Sequence, residues 1–421
     1  MPFILKIVLS VSIIFILVYS YVSSRIIGAL RLITGWNHLF IKLAALAIAV
    51  YVLIYPLIAL ATYFSGSEHF SSAIREGNKF IDYVFMYPFW LGVILTLQVG
   101  VLFLSLEIIR FLSSLIFKPE IIRLAHAWLV LLISAICLVY VPAKVYFDTK
   151  TVRTERVEVM IPNLPENLDG FKIAHISDLQ ADNRTVKPRM ENYINAVNKL
   201  EPDIVVFTGD LVTYGQEHID IGAEMMGRLK ARYGVYACLG DHDYWANPEM
   251  IVRSLGEMGL IVLEDEDYAL DIKPEKSGLS GPIVPIQDGA FTGSAKVQMT
   301  FVTNIYSKRP NEEILKTLAT KDTNSALKIF VTHQPSEELI RFAAKNNYDI
   351  FLAGHTHGGQ VVISLFGIKL TPVLFETSFL SGQYRFDSMF VNVNNGLGLT
   401  FSPVRYNSPA TVTLIELRKG H

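Results

Sequence analysis

Four long stretches without a charged side chain, Ile7 to Ser24, Leu43 to Ser67, Tyr83 to Leu106 and Leu124 to Ala143, occupy the first third of the chain. Each is long enough to cross a bilayer as a helix, which takes roughly 20 apolar residues. They account for a hydrophobic fraction of 51% and a mean hydropathy of +0.36, too apolar for an ordinary soluble chain of 421 residues. The first stretch has a single lysine ahead of it, no small-residue cleavage pattern and three further spans behind it, so it reads as a retained helix rather than a secretory signal. Tyr19, Tyr21, Trp36, Tyr83, Tyr87, Trp90 and Trp128 cluster near the ends of the spans, where an interfacial aromatic belt belongs. Between the last two spans, Glu107 to Leu124 carries Arg110, Lys118 and Arg123 and reads as a segment in the headgroup plane.

Within the spans Gln98 is the only amide, and no carboxylate or basic side chain sits at mid-membrane depth to mark an ion or substrate path. Anchoring therefore explains the spans better than transport. Arg25 and Arg31 in the first loop and Arg110, Lys118 and Arg123 in the third favour those loops inside, which places both termini outside. Lys144, Lys150, Arg153 and Arg156 argue the opposite; read as part of the folded domain, they leave a multi-pass cell-membrane protein whose C-terminal domain is external.

From about Thr151 the composition changes to short apolar runs alternating with amphipathic segments. Val157 to Met160, Lys172 to Ile176, Ile204 to Thr208, Val235 to Leu239, Met299 to Thr303, Lys328 to Thr332 and Tyr348 to Ala353 read as strands. Lys187 to Leu200 and Asn247 to Met258 read as helices, the second opened by an Asn cap and Pro248 in its first turn. Past Gly358 the strands continue with little helix, through Gln360 to Ser364, Met389 to Val393 and Thr411 to Leu417, which predicts a second, largely antiparallel sheet. The Gly/Pro/Ser-rich stretch Lys273 to Ala295 reads as a long loop. The chain divides into a four-helix, all-α transmembrane region at 1–145, a linker at 146–156 and an α/β domain at 157–421. A net charge of −2 without a basic run gives no nucleic-acid footprint. Its two cysteines, Cys137 in a span and Cys238 in a core strand, are poor disulfide partners and do not define a redox compartment.

Five polar clusters each follow an apolar run. They are His175-Ile176-Ser177-Asp178-Leu179-Gln180, Gly209-Asp210, Gly240-Asp241-His242-Asp243, Thr332-His333-Gln334-Pro335 and Gly354-His355-Thr356-His357-Gly358-Gly359. Singly, each is ordinary turn or helix-cap chemistry. Together they put carboxylates and imidazoles at the carboxyl ends of strands, where open α/β sheets bind ligands. Like charges converging there repel unless cations sit among them, and mixed oxygen and nitrogen ligation suits manganese, zinc or iron.

These blocks resemble those of the calcineurin-like metallophosphoesterases, over about Gly170 to Leu417. The form Gly-His-Thr-His-Gly-Gly-Gln at 354–360, with Asn395-Gly396-Leu397-Gly398 and Pro403-Val404-Arg405-Tyr406, is most similar to the membrane-associated, YkuE-like branch. The resemblance implies a two-sheet α/β/β/α sandwich holding two divalent metal ions, for which manganese is the first choice and zinc or iron the others. It implies Asp178, Gln180, Asp210 and His357 as ligands of one ion, with Asp210 bridging to a second held by Asp241, His333 and His355. It further implies His242 as the catalytic histidine and Asp243 as the group that orients its ring. Three positions depart from the family pattern. Gln180 stands for a histidine, Asp241 for an asparagine, and the second block ends in Thr213 rather than a carboxylate.

The expected activity is that of a phosphodiesterase or pyrophosphatase in which the two cations lower the pKa of a bridging water and draw charge from the phosphoryl oxygens. A domain tethered to four spans favours membrane lipids or lipid-linked phosphoesters as substrates. Lys273 to Ala295 and the apolar tract Leu365 to Leu380 are candidates for a substrate-selecting cap. The alternative is a non-catalytic membrane receptor or scaffold with a degenerate metal site, which Gln180 keeps open.

Overall fold

Apolarity sustained over some 30 residues at a time has one economical solution, the α-helix, because it satisfies every backbone N–H and C=O within its own segment. A computed structural model describes residues 3–66, 77–273, 294–320, 325–365 and 367–420, and begins with four such helices. They are α1 (Phe3–Thr34), α2 (His38–Ser65), α3 (Lys79–Ser113, with a π turn at Asp82–Met86) and α4 (Pro119–Lys150). α1, α3 and α4 outrun at both ends the apolar stretches that predict them, whereas α2 begins earlier than its stretch but ends at Ser65, before the left-handed Gly66. Asn37 caps α2 by accepting from the Leu39 and Phe40 amides, and Pro119 opens α4. Phe15, Tyr55, Phe89, Phe103 and Val141 pack inside this unit. Leu17, Phe64, Leu115 and Val139 face outward, as lipid-facing residues do. Of the predicted aromatic belt, Trp36, Tyr83 and Trp128 are exposed, whereas Trp90 is buried against Phe89 and Phe401.

Two segments remote in sequence belong to the helical unit, 360–372 and 401–409. The first carries a small hairpin, whose strands appear below as β10 and β11. The second is bonded to the helices through polar atoms. Tyr406 Oη donates to Gln98 Oε1 at 3.0 Å, the Arg405 amide donates to Thr149 Oγ1 at 2.9 Å, and the Asn407 amide donates to Asp148 Oδ2 at 2.7 Å. The lone intramembrane amide seen in the sequence thus has a specific partner. Over the stretch read as a linker, α4 runs on to Lys150 and the first strand begins at Val152.

The second unit holds two six-stranded sheets. The first contains β1 (Val152–Pro162), β14 (Ala410–Gly420), β2 (Lys172–Ile176), β3 (Ile204–Phe207), β4 (Val235–Ala237) and β5 (Ile261–Val262), in that order. The order in the second is β12 (Gly382–Phe386), β13 (Met389–Val393), β9 (Ile350–Ala353), β8 (Leu327–Thr332), β7 (Ala295–Val302) and β6 (Glu266–Ile272). The hairpin strands of the helical unit are β10 (Ile363–Leu365) and β11 (Ile368–Leu370).

Side chains alternate along each central strand. Ile204 and Val206 enter the core between the sheets with Ile329, Val331, Ile350 and Leu352, while Val205 and Phe207 face the helices. Those helices are α5 (Lys187–Asn198), α6 (Ile219–Met226) and α8 (Pro248–Glu257), the last preceded by the short α7 (Asp241–Ala246). On the outer face of the second sheet lie α9 (Glu312–Thr320) and α10 (Glu337–Lys345), packed on Phe330, Phe351 and Ala353. The result is the expected α/β/β/α sandwich. One expectation is corrected. The second sheet is parallel through β13, β9, β8 and β7, with antiparallel pairs only at its edges, and Thr411 to Leu417 belongs to the first sheet. The sequence run of strands without helices past Gly358 misleads because β13 pairs directly and in parallel with β9, while β12, which precedes it in the chain, lies outside it at the sheet edge. The loop read from Lys273 to Ala295 falls at 274–293, outside the described residues.

Candidate metal centre

The ends of β2, β3, β4, β8 and β9 release the five polar clusters at one place. The Asp178 amide donates to the Gly209 carbonyl at 2.8 Å, the Gln180 amide to the Asp210 carbonyl at 3.0 Å, and the Gly354 amide to the His333 carbonyl at 2.9 Å. Asp178, Gln180, Asp210, His355 and His357 all adopt left-handed backbone angles, with φ between 49° and 69°. Non-glycine residues avoid that region at a cost of about 1 kcal/mol or more each, and such strain gathers at functional sites. Gly240 and Gly354 make room at the centre. A Cβ on Gly240 would collide with Asp210 Oδ1 and the His333 ring, and one on Gly354 with Ser177 Oγ.

Two groups of donor atoms result, Asp241 with His333 and His355, and Asp178 with Asp210 and His333, each with its atoms within 4.8 Å of one another. His333 Nε2 lies 3.4 Å from both Asp210 Oδ2 and Asp241 Oδ2, and its Nδ1 donates to the Thr208 carbonyl at 2.7 Å, which leaves Nε2 as the ligating nitrogen. His355 Nδ1 is 3.1 Å from Asp241 Oδ2, and His357 joins through Asp178, its Nε2 being 3.3 Å from Oδ1. Gln180 Nε2 donates to Asp210 Oδ2 at 2.9 Å. All seven residues expected as ligands meet in one site.

Do these residues suit a cation? Asp178 Oδ1, Gln180 Oε1 and His333 Nε2 are buried and have no hydrogen-bond partner among the described residues. Asp178 Oδ1 and His333 Nε2 meet only long ion-pair contacts of 3.3–3.4 Å and Gln180 Oε1 meets none among the described residues, so a cation would give all three a closer partner. Three such atoms, two oxygens and an imidazole nitrogen, match the donor set of a divalent ion. Gln180 is included on its own geometry: its amide nitrogen is used by Asp210, and its oxygen is the atom left over.

The electrostatics agree. Burial alone would raise the Asp178 and Asp241 carboxyls, but the neighbouring imidazoles, His357 for the first and His333 with His355 for the second, hold both well below the usual carboxylate range. Burial would lower His333, yet Asp210 and Asp241 lift it well above its ordinary value; His355 rises to about 9, with Asp241 and Glu376 overcoming its burial. The imidazoles thus offset the charge of the carboxylates they face, and a cation entering the site would have to displace any proton they carry.

His242 and Asp243 are used differently from expectation. Asp243 is fully buried and accepts from the amides of Asp210 at 2.8 Å, Leu211 at 2.8 Å and Gly240 at 2.9 Å. It clamps the backbone that carries two candidate ligands, and does not touch the His242 ring. Its carboxyl is pushed up to about 7 by burial and by the Asp210 carboxylate, against the Gly240 and Leu211 amides. His242 Nδ1 instead meets the Thr213 carbonyl at 2.5 Å, which leaves Nε2 for a substrate oxygen. Thr213, noticed in the sequence only as a missing carboxylate, thus orients the ring through its backbone. Tyr214, Trp245 and Tyr306 line the rim as near-parallel rings, with Trp245 4.8 Å from His242 between ring centres and both Trp245 and Tyr306 about half exposed. His175, next to the first cluster, is buried between Asn392 and Thr208 and held neutral, its pKa driven down to about 3 by burial. Gln334 lies in the fourth polar cluster without an assigned role, and its side-chain amide donates to Asp241 Oδ2 at 2.6 Å; Glu376, which faces His355, has no sequence signal.

Strand-end carboxylates and imidazoles between two sheets define a class, and residues 171–359 match the family described as calcineurin-like phosphoesterase. The α/β unit is therefore a calcineurin-like metallophosphoesterase domain, carried by a chain with four long apolar helices. The chain is 24% identical over 277 residues to the uncharacterized metallophosphoesterase YkuE of Bacillus subtilis (strain 168), covering 65% of this chain and 88% of that protein. It is 28% identical over 296 residues to a transmembrane protein with metallophosphoesterase domain from Danio rerio, covering 69% of this chain and 62% of that protein, so it spans less than two thirds of that relative. An uncharacterized metallophosphoesterase of Aquifex aeolicus (strain VF5) is 27% identical over 282 residues, covering 66% and 96%.

Proposed function

We propose that this chain is a membrane-anchored, metal-dependent hydrolase of phosphoester or phosphoanhydride bonds, acting on a lipid-linked substrate. The single observation that carries the hydrolase reading is the set of buried donors without a hydrogen bond among the described residues, Asp178 Oδ1, Gln180 Oε1 and His333 Nε2, beside a half-buried His242. Two divalent ions, manganese first and zinc or iron as alternatives, would supply positive charge to the phosphoryl oxygens and an activated water. Asp178, Gln180, Asp210 and His357 would hold one ion, and Asp210, Asp241, His333 and His355 the other. His242 presents Nε2 to the ester while Thr213 holds Nδ1. In its protonated form the ring can neutralise a phosphoryl oxygen or give a proton to the departing alkoxide. Asp243 keeps the Asp210 and Gly240 backbone in place for both tasks.

Support for a lipid-linked substrate comes from two features. The α/β strands begin two residues after a 32-residue apolar helix ends, a covalent tether that raises the effective concentration of membrane-borne esters. The half-exposed rings of Trp245 and Tyr306 beside the site suit a substrate with an apolar portion. The basic residues of the first and third loops support an external side for the domain.

The test is hydrolysis of a chromogenic phosphodiester by the detergent-solubilised, metal-stripped chain with manganese, zinc or iron restored, followed by a panel of lipid-linked phosphoesters. We expect turnover to return with metal, and His242→Ala to remove it by 10²-fold or more while metal binding persists. Stoichiometric metal binding with no turnover on any of these substrates would sink the hydrolase reading and leave a receptor or scaffold.

A further inference from the structure

His355 is held at both ring nitrogens. Nδ1 faces Asp241 Oδ2 at 3.1 Å, inside the cluster with His333, and Nε2 faces Glu376 Oε2 at 3.3 Å. Glu376 lies across the ring from Asp241, so it stands outside the ligand cluster. Its carboxylate is itself fixed. Tyr306 Oη donates to Glu376 Oε2 at 2.8 Å and lies 3.3 Å from His355 Nε2. The Tyr306 ring packs edge-on against the His355 ring, and the Tyr306 amide donates to Asp241 Oδ1 at 2.6 Å. One residue after β7 therefore grips a candidate ligand with its backbone and the partner of a second ligand with its side chain.

An imidazole that binds a cation through Nδ1 must carry its proton on Nε2, and a carboxylate on that N–H both selects the tautomer and increases the ring's basicity. We infer that Glu376, positioned by Tyr306, is the outer carboxylate of the Asp241–His333–His355 metal site, setting the orientation and metal affinity of His355 without touching the ion. The inference rests on the proposal that this cluster binds a divalent cation. It assigns a role to a residue from the apolar tract Leu365 to Leu380, where the sequence offers no motif.

Calorimetric titration of manganese into the metal-stripped full chain in detergent reads the inference directly, without turnover. Wild type should show two sites. Glu376→Ala should weaken one of them by about 10–100-fold, the effect typical of losing such an outer partner, and leave the other unchanged. Glu376→Gln, whose amide oxygen still accepts from Nε2–H and from Tyr306, should recover most of that loss. His355→Ala should abolish the same site. Both sites intact in Glu376→Ala would overturn the inference. So would equal weakening of both sites with a lower unfolding temperature of the metal-free protein, which marks a general structural role, or failure of Glu376→Gln to recover affinity. No manganese binding by wild type would overturn the underlying metal proposal instead, so the two failures are distinguishable.

Discussion

At the scale of single residues, the site is built from conformations and burials that side chains resist. Five candidate ligands sit at positive φ, and a sixth residue, His175, is buried neutral beside them. The cost of that burial is measurable. The unfolded chain protonates His175 near pH 6.5, whereas the folded chain resists protonation down to about pH 3. Between those values the unfolded state binds more protons, so the contribution of His175 to stability is whole above pH 6.5 and lost as pH falls. From pH 7.5 to 5.0 the stability of the metal-free wild type should fall relative to His175→Gln by about 2 kcal/mol. Chemical denaturation of both proteins at the two pH values tests this, and an unchanged difference would show that His175 is not buried neutral.

Among secondary-structure elements, the strands and the membrane helices use polar atoms in opposite ways. Two of the five strand ends, those of β2 and β8, leave donor atoms without a hydrogen bond among the described residues, which is tolerable where a cation can serve them. In α3 the one amide, Gln98, is served by Tyr406 from the segment 401–409. Hydrogen bonds of this type within membrane domains contribute about 0.6 kcal/mol on average and up to about 1.7 kcal/mol. Tyr406→Phe should therefore destabilise the detergent-solubilised protein by about 1 kcal/mol. Adding Gln98→Leu to that variant should cost little more, since the amide has already lost its partner. Denaturation midpoints of the two single variants and the double variant measure the coupling, and strict additivity would show that the bond contributes nothing.

For the whole molecule, the proposed external placement of the phosphoesterase domain makes a prediction about access. A cysteine at the exposed Lys345 should be labelled by a membrane-impermeant maleimide in intact cells, and one at the exposed Ile116, between α3 and α4, only after lysis. The native Cys137 and Cys238 are both buried, so background labelling should be low. The reverse pattern would place the site on the inner side, and substrates would then have to be sought in the inner leaflet.

The amino-acid sequence by itself marked the four long apolar helices, the change to α/β architecture near Thr151 and the five polar clusters, while the seven candidate ligands and His242 followed from the family resemblance those clusters carry. Hydropathy and turn chemistry are local properties, and a glycine-bounded Asp or His after an apolar run is visible wherever it lies. Tertiary structure alone decided what each group does. It turned Asp243 from the His242 ring to three backbone amides, made the Thr213 carbonyl the partner of that ring, and brought Glu376 and Tyr306 to His355. It also made the second sheet mainly parallel and gave 360–372 and 401–409 to the helical unit. The physical reason is distance along the chain. His355 donates its amide to Asp178 across 177 positions, and Tyr306 to Asp241 across 65. Such contacts exist only once the two sheets have packed, so no local pattern of residues can encode which atoms will meet.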